Sequence, residues 1–135
     1  MKPEDKELLL KDLCARLPYA PIIKCTLKGV KSDTNITCKL DVEHLDELLY
    51  DGEFFIDIKP YLRPMSSMTE DEKDYVVKHS LGYTANIGGG KKDEKLYFHF
   101  KAESFDWLNK NMFDYRGLIP KDLALSTEEF NPYTD

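Results

Sequence analysis

Ile56-Asp57-Ile58-Lys59-Pro60-Tyr61-Leu62-Arg63-Pro64-Met65-Ser66-Ser67-Met68-Thr69-Glu70-Asp71-Glu72 begins with strand chemistry and ends with helix chemistry. Each proline fixes its own φ and pushes the residue before it, Lys59 or Arg63, toward extended geometry. The stretch therefore reads as a strand end, a stiff corner and a helix start. Thr69 followed by Glu72 is a capping box: the hydroxyl accepts from the Glu72 N–H and the carboxylate reaches back to the Thr69 N–H. Glu70 and Asp71 put negative charge at the positive end of the helix dipole. The helix so opened is expected over 69–80, with Tyr75, Val76 and Leu81 apolar and Gly82 as its stop.

Upstream, residues 53–58 read as a strand with Phe54, Ile56 and Ile58 on one face. Asp51-Gly52 between apolar runs is a hairpin signal, whereas His44, Leu45, Leu48 and Leu49 fit a short helix, so 43–50 stays open between the two. Residues 22–28 and 35–42 alternate apolar and polar with period two, the pattern of a hairpin with one wet face. Ile23, Cys25 and Leu27 alternate with Lys24, Thr26 and Lys28; Ile36, Cys38, Leu40 and Val42 alternate with Thr37, Lys39 and Asp41. The expected register sets Ile23 opposite Leu40, Cys25 opposite Cys38 and Leu27 opposite Ile36, with the thiols free. Residues 4–17 read as a helix with Leu9, Leu10, Leu13, Cys14 and Leu17 as its apolar stripe, stopped by Pro18.

Downstream, Tyr83–Ile87 and Lys95–Lys101 read as strands joined by the loop from Gly88 to Glu94. Residues 103–113 read as a last helix, with Phe105, Leu108 and Met112 on one side, Ser104 as its cap and Gly117 as its end. Residues 126–135 are polar and acidic, and are expected to be mobile unless Phe130 and Tyr133 dock. The fold expected is α+β. An antiparallel, twisted sheet of about five strands, partly closed in barrel fashion, carries N-terminal, middle and C-terminal helices.

The chain has 135 residues, 41% apolar and 33% charged, the profile of one soluble domain spanning 1–135. A net charge of −6 argues against non-specific binding to nucleic acid or anionic membrane. Three widely spaced cysteines without a CxxC are no disulfide framework and point to a reducing compartment. The opening Met1–Lys6 lacks signal-peptide character, and no apolar stretch approaches the roughly 20 residues of a membrane span. A cytoplasmic location is expected.

Motifs for chemistry are sparse. Gly88-Gly89-Gly90-Lys91-Lys92 lacks the spacing of a phosphate loop and precedes a strand rather than a helix. Cys25, Cys38 and one of His44, His79 or His99 could ligate a metal, but zinc sites take four ligands at short spacings. Buried thiols on a strand pair are the simpler reading, and neither metal nor cofactor is assigned. Ser66 and Ser67 have no GxSxG elbow. Asp106 and Asp114 also suit a solvated helix side, so no catalytic residue is assigned.

Tyr61, Arg63, Trp107, Tyr115 and Arg116 are the residue types that anchor protein interfaces. They crowd into two short segments, the proline corner and the end of the last helix. These segments are expected to lie together as a binding face; the alternative is that they cover the core edge.

Several segments also resemble a group of small proteins of unassigned function encoded by phages and mobile elements of gut anaerobes. They are Asp12-Leu13-Cys14-Ala15-Arg16-Leu17-Pro18-Tyr19, Lys59 to Glu70, Asp106-Trp107-Leu108-Asn109, Phe113-Asp114-Tyr115-Arg116-Gly117-Leu118-Ile119 and Leu123-Ala124-Leu125. The resemblance implies a phage or integrated-element origin and expression inside the host, and no activity. The function expected is an accessory protein that binds another macromolecule, foremost a protein. A nucleic-acid-associated accessory is the alternative, and a small enzyme comes third.

Overall fold

The computed structural model describes residues 1–78, 80–81, 99–100 and 102–134. They form an α+β fold with four α-helices and a four-stranded sheet that does not close. In chain order come α1 (Pro3–Arg16), β1 (Ile22–Leu27), β2 (Thr34–Lys39), α2 (Val42–Tyr50), β3 (Phe55–Leu62) and α3 (Glu70–Lys78). Then follow β4 (Ser80–Leu81), β5 (His99–Phe100), α4 (Ala102–Lys110) and β6 (Leu125–Ser126). The sheet order is β2-β1-β3-β6, and β4 pairs with β5 apart from it. The sheet is mixed rather than antiparallel, because β6 runs parallel to β3. About five strands and partial barrel closure are expected; among the described residues the main sheet has four strands and is open. The loop 88–94 and nearly all of the two expected strands at 83–101 lie outside the described residues.

β1 and β2 form the expected hairpin, but two residues out of the expected register. Ile23 faces Cys38 and Cys25 faces Ile36. A shift of two preserves every facing, so the apolar set still points inward. The tighter turn decides it. Gly29 donates its N–H to Asp33 Oδ1 at 3.2 Å, and a Cβ at Gly29 would overlap the Ser32 carbonyl oxygen.

β3 departs further. Thr26 pairs with Asp57 and Leu27 with Phe55, so Ile56 is skipped in a β-bulge. A bulge reverses facing on one side of itself. Phe55 joins Ile58 toward the core, while Phe54 and Ile56, expected to share a face with Ile58, are 72% and 57% exposed. The strand also runs on through Pro60, opposite Ile23, to Leu62. The corner therefore falls later, at Pro64 and the 3₁₀ turn Met65–Ser67.

The capping box of α3 is formed as expected: Glu72 N–H donates to Thr69 Oγ1 at 3.2 Å and Thr69 N–H to Glu72 Oε1 at 2.8 Å. Residues 43–50 resolve as helix, with Asp51 at φ 50° ending it. Asp51-Gly52 is thus a helix stop, not a hairpin turn. The last helix ends at Lys110, short of 113, and Met112 at φ 61° turns the chain sharply away. Ser104 lies buried inside that helix rather than capping it, and Phe105 is exposed.

The core packs Leu9 and Leu13 of α1 and Leu48 of α2 against Ile23, Cys25, Ile58 and Leu62 of the sheet. A second cluster of Met68, Val76, Leu108 and Phe113 joins α3 to α4. On α1 the buried positions are Leu9, Asp12, Leu13 and Arg16, and Cys14, expected in the stripe, is exposed.

Tyr133 docks. Its hydroxyl accepts the Ile22 N–H and donates to the Tyr61 carbonyl, both at 2.9 Å, joining β1 to β3. Phe130 lies edge-on to Tyr61 at 5.7 Å while remaining exposed.

Candidate functional site

The proline corner and the end of α4 are neighbours, as the clustering of interface-type residues suggests. Arg63 donates its N–H to the Met112 carbonyl at 2.7 Å, and Asp114 donates its N–H to the Arg63 carbonyl at 2.8 Å. None of the five side chains is exposed, however. Tyr61 is buried at 7%. Arg63 forks onto Glu72 with two hydrogen bonds of 2.8 Å and lies 4.1 Å above the Phe113 ring. Trp107 is stacked between Tyr75 and Phe113, with ring centroids 4.8 and 5.6 Å away. Tyr115 donates its hydroxyl hydrogen to Asn109 Oδ1 at 3.0 Å. Arg116 pairs with Asp12 at 2.8 Å and covers the Tyr115 ring. All five side chains make internal contacts, and four of them remain half-buried rather than fully enclosed.

Asp12 is the hub behind them. Its carboxylate takes Arg16 through Nε at 2.8 Å and Nη2 at 2.9 Å, and Arg116 through Nη1. Arg16 Nη2 also donates to the Phe113 carbonyl at 2.6 Å. Arg16 Nη1 is buried with no partner among the described residues. Asp114 accepts the backbone N–H groups of Leu118 and Ile119, both at 2.8 Å, so it organises a turn. It lies beyond the end of α4, whereas Asp106 is exposed on that helix.

Beside this junction opens a cleft of about 800 Å³. Its walls come from four places: Tyr19 and Ala20 after α1, Ile22 and Lys39 of the hairpin, Arg63 with Lys110–Met112, and Asn131–Tyr133 of the tail. Three of these residues are cations and none is acidic among the described residues. Lys39 and Lys110 have no ion-pair partner among the described residues, although the chain holds 25 acidic side chains. The outward sheet face continues this character: Lys24 is paired directly with Lys59. Like charges directly opposed across strands are destabilising; Lys59 is partly neutralised by Asp122 at 3.1 Å and Asp57 at 3.9 Å.

Of the five residues singled out in the sequence, only Arg63 lines this cleft. Lys39 was legible as a wet-face residue of the hairpin and Tyr133 as a tail aromatic that could dock; Lys110 and Asn111 carried no signal beyond residue type.

A third grouping lies on the core side of the hairpin. Cys25 Sγ and Cys38 Sγ are 4.0 Å apart, and Cys38 Sγ is 3.7 Å from His44 Nε2. Burial and the neighbouring Cys38 push the Cys25 thiol up to about 11. His44 Nδ1 accepts the Asp41 N–H at 3.0 Å, and its ring leans on Phe55 at 5.2 Å.

No known family model matches the chain, and no curated protein or solved structure matches it. Among the described residues no helix is long and apolar enough to cross a membrane.

Proposed function

We propose that the protein is a non-catalytic binding module of the cytoplasm, an accessory protein of phage or mobile-element type, that holds an acidic segment of a partner protein in this cleft. One observation carries the reading: in a chain of net charge −6, the large cleft collects Lys39 and Lys110, neither with an ion-pair partner among the described residues, beside the Glu72-paired Arg63 and with no carboxylate in its described lining. Arg63 already has Glu72 as its counter-ion, but folding gains little from Lys39 and Lys110 gathered there without one; a ligand carrying negative charge supplies it, and field focusing in a cleft speeds its arrival. Asn111 and Asn131 add hydrogen-bonding groups for a peptide backbone, and Tyr19 adds a half-buried aromatic ring. The resemblance to phage-encoded proteins supports an accessory role without assigning an activity.

Fluorescence anisotropy tests the reading directly, with a fluorescein-labelled glutamate-rich peptide as ligand. The wild-type chain is expected to bind it, more weakly as salt rises. Lys39→Glu with Lys110→Glu should weaken binding tenfold or more. Lys121→Glu with Lys2→Glu makes the same charge change at exposed positions outside the cleft and should leave binding within about threefold. Circular dichroism establishes that each variant is folded. Failure of the wild type to bind, or equal loss in both variants, would overturn the proposal. Tighter binding of a labelled oligothymidylate than of the peptide would replace the protein partner with single-stranded nucleic acid.

A further inference from the structure

The three side chains converging behind the hairpin arrive from three elements: Cys25 from β1, Cys38 from β2 and His44 from the first turn of α2. One ligand atom from each lies within 4.8 Å of the other two. Packed thiols reach such separations without any metal, so the sulfur pair alone decides nothing. His44 adds a third ligand atom to the pair. Zinc binds sulfur at about 2.3 Å and nitrogen at about 2.0–2.1 Å. In a tetrahedron those bonds set S···S edges of about 3.8 Å and S···N edges of about 3.5 Å. Two of the three edges, at 4.0 Å and 3.7 Å, are within a few tenths of an ångström of these values, and the third, Cys25 to His44, lies within 4.8 Å.

A disulfide fits less well. Because Cys25 faces Ile36 and Cys38 faces Ile23, the cysteines are diagonal neighbours. Diagonal Cα atoms are about 7–8 Å apart, beyond the reach of an unstrained disulfide. A metal ion bridges the gap that a sulfur–sulfur bond does not.

We infer that Cys25, Cys38 and His44 form a binding site for a soft, thiophilic cation of the Zn²⁺ or Cu(I) class, with a fourth position for water or an exogenous ligand. Cys25 is wholly buried and His44 nearly so, which holds the ligands in place, and half-buried Cys38 gives the ion its way in. In the metal-free protein His44 Nδ1 accepts the Asp41 N–H, so the neutral ring carries its proton on Nε2 and donates to Cys38. Ligation through Nε2 moves that proton to Nδ1 and releases the Asp41 N–H, which solvent can take up because Asp41 is exposed. Both thiols ligate as thiolates and lose their protons to solvent. A divalent ion would then be neutralised by two thiolates, which suits a buried position.

The experiment uses the full chain, reduced, stripped with chelator and loaded with Zn²⁺ alone. The wild type and Cys14→Ser should each retain one equivalent after dialysis, whereas Cys25→Ser and Cys38→Ser should retain none. Alkylation of the wild-type chain, mapped by mass spectrometry, keeps the test independent of whether the variants fold. Zn²⁺ should slow labelling of Cys38 at least tenfold and leave exposed Cys14 unchanged. Ring nitrogen shifts should report transfer of the His44 proton from Nε2 to Nδ1. No retained zinc, retention that survives loss of either Cys25 or Cys38, or equal Cys38 labelling with and without Zn²⁺ would each overturn the site.

Discussion

Asp12 and Arg16 are both wholly buried, and removing water from two charges costs several kcal/mol per ion before their attraction returns any of it. What holds the pair is the number of partners, since Asp12 also takes Arg116 and Arg16 also takes the Phe113 carbonyl. Asp12→Ala would strand two guanidinium groups and should destabilise the fold by about 3–5 kcal/mol in urea melts. Asp12→Leu combined with Arg16→Met should fall closer to the parent, because it removes both buried charges together. A loss under about 1 kcal/mol for Asp12→Ala would show that the network is better hydrated than its burial implies. The spacing of Asp12 and Arg16 is visible in the sequence as an i,i+4 pair. Their burial is not, because the Phe113 carbonyl that draws Arg16 inward is supplied 97 residues away. Cys14 looked like the inward residue on polarity alone, and that distant partner is what overrides polarity.

At the scale of elements, α3 is anchored through Glu72, whose carboxylate serves two masters. It accepts the Thr69 N–H as part of the capping box and takes both hydrogen bonds of the Arg63 fork. The Arg63 hydrogen bonds hold the Glu72 carboxyl below its ordinary 4.5. A folded value below the unfolded one contributes stability that is present above the unfolded value and is lost as pH falls through the folded one. Acid titration of stability should therefore be steeper for the parent below pH 4.5 than for Arg63→Met, in which Glu72 loses that partner. Equal slopes would mean that the fork does little at Glu72. Thr69→Ala removes only the cap and should cost about 1 kcal/mol by urea melt; coincident melts would count against the cap. This element was legible in advance because a capping box is local, with both partners inside one turn. The bulge at Ile56 was not, because it depends on how β1 meets β3, nor was the hairpin register, because it depends on where within residues 28–33 the turn closes. Only the period-two pattern, which a two-residue shift leaves intact, could be read ahead.

Over the whole molecule, the tail completes both the sheet and the cleft. Tyr133 closes the gap between β1 and β3 where their pairing stops, and Asn131, Pro132 and Tyr133 form one cleft wall. No local pattern announces such a site: Lys39, Lys110 and Tyr133 meet only because the tail returns to the sheet edge. Its coarse ingredients, a lysine-bearing hairpin face and an aromatic in the tail, were in view, but their meeting point was not. The phenol offers a test of that closure. Burial raises Tyr133 from the usual 10.0 to about 12. A folded value above the unfolded one means that its contribution is fully present below pH 10 and is lost as pH rises through 12. Tyr133→Phe keeps the ring but leaves the Ile22 N–H and the Tyr61 carbonyl without this partner, and should cost about 1–3 kcal/mol at neutral pH. Cys25, whose thiol also loses stability in alkali, is common to both chains and cancels from the difference between them. The stability gap between parent and variant should therefore hold steady up to pH 10 and narrow as pH approaches 12. A gap that stays constant across that interval would mean that the hydroxyl is not sealed between the strands. If the tail wall shapes the cleft, Tyr133→Phe should also weaken acidic-peptide binding, measured by anisotropy at neutral pH where the variant is still folded.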